Sequence, residues 1–290
     1  MPASKFEFHA PGSLSEAYAF LDRYRGRARV LAGGTDLVPK LLRGAVAPEA
    51  VVSLRKIDEL RVLSFEPGRG LAIGGCVRHA EVMAHPEVRR HYPALVDALS
   101  QLATVQIRNM GTIAGNLCNA SSCADSAPVL LARDARLEIG GPGGARTLPL
   151  SEFFVGPGKT ALTPFEIVTA ILVPPPEAAA AFAFRSISGR SKVDMSAASV
   201  GAKLRIERGR IAEARIFLGA VGPTALRAAR AEEVLRDRSP GEALFREAGE
   251  AAAAESRPIT DVRATAGWRR RMVAVLARRA LAEAAERAGA

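Results

Sequence analysis

The segment Leu31-Ala32-Gly33-Gly34-Thr35-Asp36-Leu37, entered from Val30, is the first place where residue type and spacing suggest chemistry. Two glycines directly after an extended run let backbone N–H groups converge without Cβ obstruction, and such a nest attracts phosphate oxygens. Thr35 adds a hydroxyl donor. The spacing is not that of the GxGxxG dinucleotide fingerprint, and no Gly-Lys-Ser/Thr follows, so it is not a P-loop either. Taken alone, the glycine pair also fits a plain turn.

A second segment, 106–117, supplies Gly111 and Gly115, the hydroxyl of Thr112 and the amides of Asn109 and Asn116, with Ile113 and Ala114 between them. Small residues permit close approach of a ligand, and Thr and Asn hydrogen-bond phosphate or ribose oxygens. Asn119, Ser121, Ser122 and Asp125 follow, and an acidic residue here suits ribose hydroxyls. A tight polar loop is the alternative reading.

These groups must be positioned by elements, and periodicity outlines them. The first 55 residues alternate strand and helix. Ser13 and Glu16 make a capping box ahead of an apolar helical spacing, residues 29–32 are extended, and Leu37, Val38, Leu41 and Leu42 recur at helical spacing. Short strands are expected at 62–65 and 71–74, helices near 79–84 and over 94–105, and a hairpin around the glycines at 140–144. The β-branched run Ile167 to Val173 ends at three prolines, the strongest boundary signal in the chain. Beyond it, strands are expected at 182–186, 197–206 and 211–218, the last two joined by a turn at 207–210. Three helices close the chain. Ser239-Pro240 with Glu242 reads as a cap, and Val273, Leu276, Ala277 and Ala280 as a core-facing stripe.

With 290 residues, 48% of them hydrophobic, the chain is long enough for one large or two ordinary folded domains and is not disordered. The formal charge of +10 invites a nucleic-acid reading, but only six of the 40 basic residues are lysine. Eleven Phe, three Tyr and one Trp offer few stacking platforms, and no nucleic-acid motif accompanies the charge. Residues 1–175 carry 19 basic and 16 acidic groups; residues 176–290 carry 21 and 14, so most of the excess lies in the C-terminal part. No secretory leader or membrane span is visible, and the expected location is the cytoplasm.

The segments L-A-G-G-T-D-L (31–37), I-R-N-M-G-T-I-A-G-N-L (107–117), N-A-S-S-C-A-D-S-A-P (119–128) and L-P-L-S-E-F-F-V-G-P-G-K-T (148–160) together resemble the FAD-binding medium subunit of the molybdenum hydroxylases. D-V-R-A-T-A-G-W-R-R (261–270) resembles the end of that subunit's second domain. The resemblance runs in order along the whole chain. It implies an α+β fold: an FAD-binding domain of the vanillyl-alcohol-oxidase-like (PCMH) type over 1–175, with subdomains of about 1–55 and 56–175. An antiparallel sheet with helices is then expected over 178–290.

Residue by residue, the resemblance implies that Val30 to Leu37 wrap the FAD pyrophosphate, and that Thr112, Ile113, Ala114, Gly115 and Asn116 close over it. Asp125 would lie near the flavin's sugar chain and Leu172 would make an apolar contact. Arg185 or Lys192 would stabilise negative charge on the reduced ring. No catalytic acid, base, nucleophile or metal ligand is implied on this chain. His9, His79, His85 and His91 all lie outside the 31–37 loop, so a covalent histidyl–flavin link is not expected there and the FAD would be non-covalent. His79 reads as a capping or packing residue. Cys76, Cys118 and Cys123 fall short of the four ligands of a [4Fe–4S] cluster, and buried inert thiols are expected.

The implied function is electron transfer between [2Fe–2S] clusters on a small partner subunit and an external acceptor, with molybdopterin on a large subunit. The trimers are expected to pair. A free-standing flavin-binding accessory protein is the alternative from a different class.

Overall fold

The computed structural model describes residues 5–189, 191 and 193–289. Its first layer contains β1 (Glu7–His9), α1 (Leu14–Tyr24), β2 (Ala28–Leu31), α2 (Leu37–Leu42) and β3 (Ala50–Ser53). The strands pair in parallel in the order β1-β3-β2, so the helices serve as the crossovers that parallel pairing requires. The central β3 is buried along its whole length, which suits its apolar sequence. The capping box forms at α1. Ser13 Oγ accepts from the Glu16 N–H, while the Glu16 carboxylate accepts from the Gly12 N–H, one residue upstream of the usual return bond.

The second layer opens with β4 (Leu63–Glu66) and β5 (Gly70–Gly74). Six short helices follow: α3 (His79–Ala84), α4 (Pro86–His91), α5 (Pro93–Gln101), α6 (Val105–Met110), α7 (Ile113–Cys118) and α8 (Ser126–Ala132). Next come β6 (Arg136–Gly141), β7 (Gly144–Pro149), the small ribbon of β8 (Phe154–Gly156) and β9 (Lys159–Thr160), and β10 (Ile167–Val173). The sheet is antiparallel in the order β4-β5-β10-β6-β7. The helix expected over 94–105 is in fact two helices. Ala103 takes the left-handed conformation (φ +47°), and Thr104 starts a new helix by accepting the Ile107 N–H. The polar stretch 106–117 is therefore largely helical.

The third layer is an antiparallel sheet of β11 (Ala180–Ser188), β12 (Ser196–Glu207), β13 (Arg210–Gly219) and β14 (Leu226–Arg227) in that order. It is covered by α9 (Ala229–Leu235), α10 (Glu242–Glu255) and α11 (Ala266–Arg287). The turn expected at 207–210 is present, with Arg208 and Gly209 both at positive φ. The cap expected at Ser239-Pro240 does not form: Gly241 is the N-cap and α10 begins at Glu242, without a side-chain cap bond. The α11 stripe of Val273, Leu276, Ala277 and Ala280 is buried as expected.

Alternation along β11 joins the layers. Phe182 and Phe184 enter the same core as α5 and α8, whereas Ala183 faces the α10–α11 side. Arg133, just past α8, lies between the rings of Tyr92 and Phe182, 4.5 and 3.7 Å from their centroids. Gly201 of β12 meets α8 directly: a Cβ there would stand 2.6 Å from the Pro128 carbonyl carbon. Among the described residues no helix is long and apolar enough to cross a membrane.

Candidate functional site

A cleft of about 590 Å³ opens between the first and second layers and is closed at one end by the third. One wall is Val30, Leu31, Ala32, Gly33, Gly34, Thr35, Asp36 and Leu37, the tail of β2 and its turn into α2. The facing wall is Thr112, Ala114, Gly115 and Asn116 at the start of α7. Leu162, Ile167 and Val168 give it an apolar side, and Asp125, Val193 and Met195 line it as well.

The two glycine segments touch. A Cβ on Gly33 would lie 2.3 Å from Met110 O and 2.7 Å from Gly111 Cα, so only glycine lets the walls meet. Gly34 sits at φ +79°, a conformation that favours glycine. Among the described residues, the N–H groups of Gly33, Gly34, Thr35, Asp36 and Leu37 donate no hydrogen bond; Val38 is the first to find an acceptor, Gly34 O at 3.0 Å. Five consecutive donors without internal acceptors along a cleft form a ready receptor for anionic oxygens. Across from them, Thr112 Oγ1 accepts the Gly115 N–H at 3.0 Å, and a Cβ on Gly115 would come within 2.8 Å of that oxygen. The Ser126 hydroxyl donates to Asn116 Oδ1 at 2.9 Å and orients that amide.

Three ionisable side chains in the wall are strongly perturbed. Asp125 is 5% exposed; its Oδ2 accepts from Ser196 at 2.9 Å, while Oδ1 has no partner among the described residues. Burial pushes its carboxyl up to about 6, against the opposing pull of the Ser196 and Ser199 hydroxyls. His79, 2% exposed with Nδ1 unpartnered, is pushed down to about 4 by burial and by the nearby charge of Arg108. Cys118 is pushed up to about 12 by burial, so it stays a thiol at neutral pH.

Other expected residues stand elsewhere. Ile113 is fully buried in the core behind the α7 wall. Leu172 lies on β10 between Ala72 and Arg136 and does not line the cleft. Arg185 does not line it either: strand alternation buries Phe184 and sends Arg185 to the other face, where its guanidinium pairs with Glu283 of α11 at 2.9 Å. Lys192 lies outside the described residues. In turn, sequence reasoning passed over Lys40, whose Nζ donates to Asn119 Oδ1 at 2.7 Å across the cleft. Its signal was its place three residues after Leu37, about one helical turn along.

The donor set suits a dinucleotide cofactor. The free N–H row offers partners for phosphates, and the orphaned Asp125 Oδ1 for hydroxyls. Comparison with known proteins agrees. Residues 4–176 match the family model described as the FAD binding domain in molybdopterin dehydrogenase, and residues 182–284 the CO dehydrogenase flavoprotein C-terminal domain. The xanthine dehydrogenase FAD-binding subunit of Escherichia coli O157:H7 is 30% identical over 97% of both chains. The carbon monoxide dehydrogenase medium chain of Hydrogenophaga pseudoflava is 32% identical over 96% of both. Among solved structures, carbon monoxide dehydrogenase from Hydrogenophaga pseudoflava superposes with a TM-score of 0.94 at 32% identity, covering 99% of each chain. Quinoline 2-oxidoreductase from Pseudomonas putida 86 gives 0.93 at 30%, also covering 99% of each. With both parts of the chain matched in order and at full length, it belongs to the family of FAD-binding medium subunits of the molybdenum hydroxylases.

Proposed function

We propose that this chain holds FAD in the cleft and carries electrons between iron–sulfur clusters on a partner subunit and an external acceptor. The observation that supports it best is the row of five unused N–H donors from Gly33 to Leu37, facing Thr112 to Asn116 across a cleft of dinucleotide size. Bound FAD supplies one- and two-electron redox chemistry. The chain's own work is binding and orientation. The N–H row and the Gly33–Gly111 contact fix the phosphate end, while Ile167, Val168 and Leu162 exclude water along the apolar side. Asp125 offers Oδ1 to the sugar chain. Neither Leu172 nor Arg185 is given a role in holding the cofactor.

In this reading residues 1–175 are the FAD-binding domain, and residues 178–290 complete the cleft with Asp125's partner Ser196 and present a basic docking face. The partners are a large molybdopterin subunit and a small subunit with two [2Fe–2S] clusters, assembled as paired trimers. The test is purification of the native complex with metal analysis and mass spectrometry of its chains, followed by reconstitution. Flavin absorbance should bleach with the partner's substrate only when all subunits are present. Native protein without flavin, or flavin reduced by that substrate without partners, overturns the proposal.

A further inference from the structure

Lys40 lies on α2, and its backbone N–H bonds Asp36 O at 3.4 Å, so the helix that carries it grows directly out of the free N–H row. Its ammonium reaches across the cleft to Asn119 Oδ1 at 2.7 Å, joining the first layer to the loop after α7. Both residues line the cleft. Among the described residues Lys40 forms no ion pair, so its acceptor is a neutral amide that orients the charge without cancelling it.

Besides Lys40, the described cleft wall holds one other permanent cation, Arg29, and the carboxyl groups of Asp36, Asp125, Glu166 and Asp194. Arg29 turns its guanidinium to the carbonyls of Gly26 and Ala28. Glu166 is held by Arg146 at 2.7 Å. A diphosphate carries formal negative charge, and backbone N–H groups answer it only with partial charge. A fixed cation one turn beyond the N–H row supplies the rest.

We infer that Lys40, oriented by Asn119, is a phosphate-binding residue of this chain: the ammonium that meets the diphosphate of the dinucleotide. The inference rests on the FAD reading above. Lys40 contributes affinity for the charged part of the ligand and nothing to the flavin ring.

The test is titration of the full-length apoprotein with FAD, followed by flavin fluorescence at low and high KCl. Lys40→Met should weaken binding about tenfold or more, the value of one charge-assisted contact. The salt dependence should flatten at the same time, because the screened charge is gone. Lys40→Arg should bind within about threefold of the native chain, since it keeps the charge. Asn119→Asp leaves Lys40 in place but pairs it with a carboxylate, and should weaken FAD much as Lys40→Met does while thermal unfolding stays native-like. Binding by Lys40→Met within about threefold of native, or equal losses in Lys40→Arg and Lys40→Met, overturns the inference. A native chain that takes up no FAD overturns the FAD reading instead, and the first titration reveals that before any variant is made.

Discussion

Ser196 donates its hydroxyl to Asp125 Oδ2 at 2.9 Å, tying the first residue of β12 to the loop before α8 across 71 positions of sequence. The contact places a carboxyl in the cleft wall with one oxygen bonded and the other, Oδ1, left without a partner among the described residues. A buried half-satisfied carboxyl is unfavourable for the fold when ionised and useful to a hydroxyl-bearing ligand.

The first prediction concerns that carboxyl without ligand. Its pKa is raised to about 6 in the folded chain from 3.8, so between these values the folded state holds a proton that the unfolded state has lost. Stability therefore falls as pH rises through this window, and the ionised group costs about 3 kcal/mol above it. Asp125→Asn keeps an acceptor for Ser196 and removes the charge. Urea unfolding of the apoprotein should show the variant more stable than the native chain at about pH 7.5, with the difference shrinking by on the order of 2 kcal/mol by about pH 4.5 and closing only below the unfolded value of 3.8. A difference independent of pH would show that Asp125 ionises normally.

His79 predicts the opposite slope. Burial lowers it to about 4 from 6.5, so on acidification the unfolded chain takes up a proton that the folded chain refuses. Stability from this residue is lost as pH falls through that window. Replacing it with glutamine should leave a variant whose deficit relative to the native chain shrinks by on the order of 2 kcal/mol between about pH 7 and pH 4.5. The two residues oppose one another, so the native profile is flatter than that of either variant. Parallel slopes in the native chain and the His79→Gln chain would refute the assignment.

Much of this architecture is legible in sequence where the physics is local. Ser13 and Glu16 announce α1, the β-branched run announces β10, and Gly33-Gly34 after an extended run announces a backbone-lined turn. What is not legible depends on contacts between layers. Ala103 breaks a helix whose apolar spacing continues through it. Arg185 has readable strand parity, but which face of β11 turns to α11 is decided by Phe182 and Phe184 packing with α5 and α8. Lys40 and Asn119 are 79 residues apart, and neither residue type alone signals a bridge.

Gly33→Ala tests the contact between the walls. The added methyl would stand 2.3 Å from Met110 O, a backbone atom that cannot step aside as a side chain can. The layers must separate, at a cost of about 1–3 kcal/mol to the apoprotein. FAD affinity should fall as well, because the N–H row moves relative to Thr112. Gly12→Ala is the control: nothing lies within 4 Å of its added Cβ, and stability should change by less than about 0.5 kcal/mol. Equal stability of the two variants in chemical unfolding would mean that the Gly33 contact is not tight.

Arg269 secures the end of the cleft from behind. It is 2% exposed, and its Nη1 donates to Ala197 O at 2.9 Å and Ala220 O at 3.0 Å, while Nη2 bonds Asp261 Oδ1 at 2.7 Å. Ala197 follows Ser196, so the guanidinium anchors the strand start that supplies Asp125's donor. Lysine cannot reproduce a planar fork that serves three acceptors. Arg269→Lys should therefore lose about 2–4 kcal/mol, within the range for breaking a buried hydrogen-bonded charge. Exposed Arg270→Lys should change by less than about 0.5 kcal/mol. The loss should appear in urea unfolding. It should also steepen the Asp125-dependent pH slope, because a loosened Ser196 withdraws a hydroxyl that favours the ionised carboxylate. A destabilised variant that keeps the native slope would separate Arg269 from the cleft and leave it a role in the third layer alone.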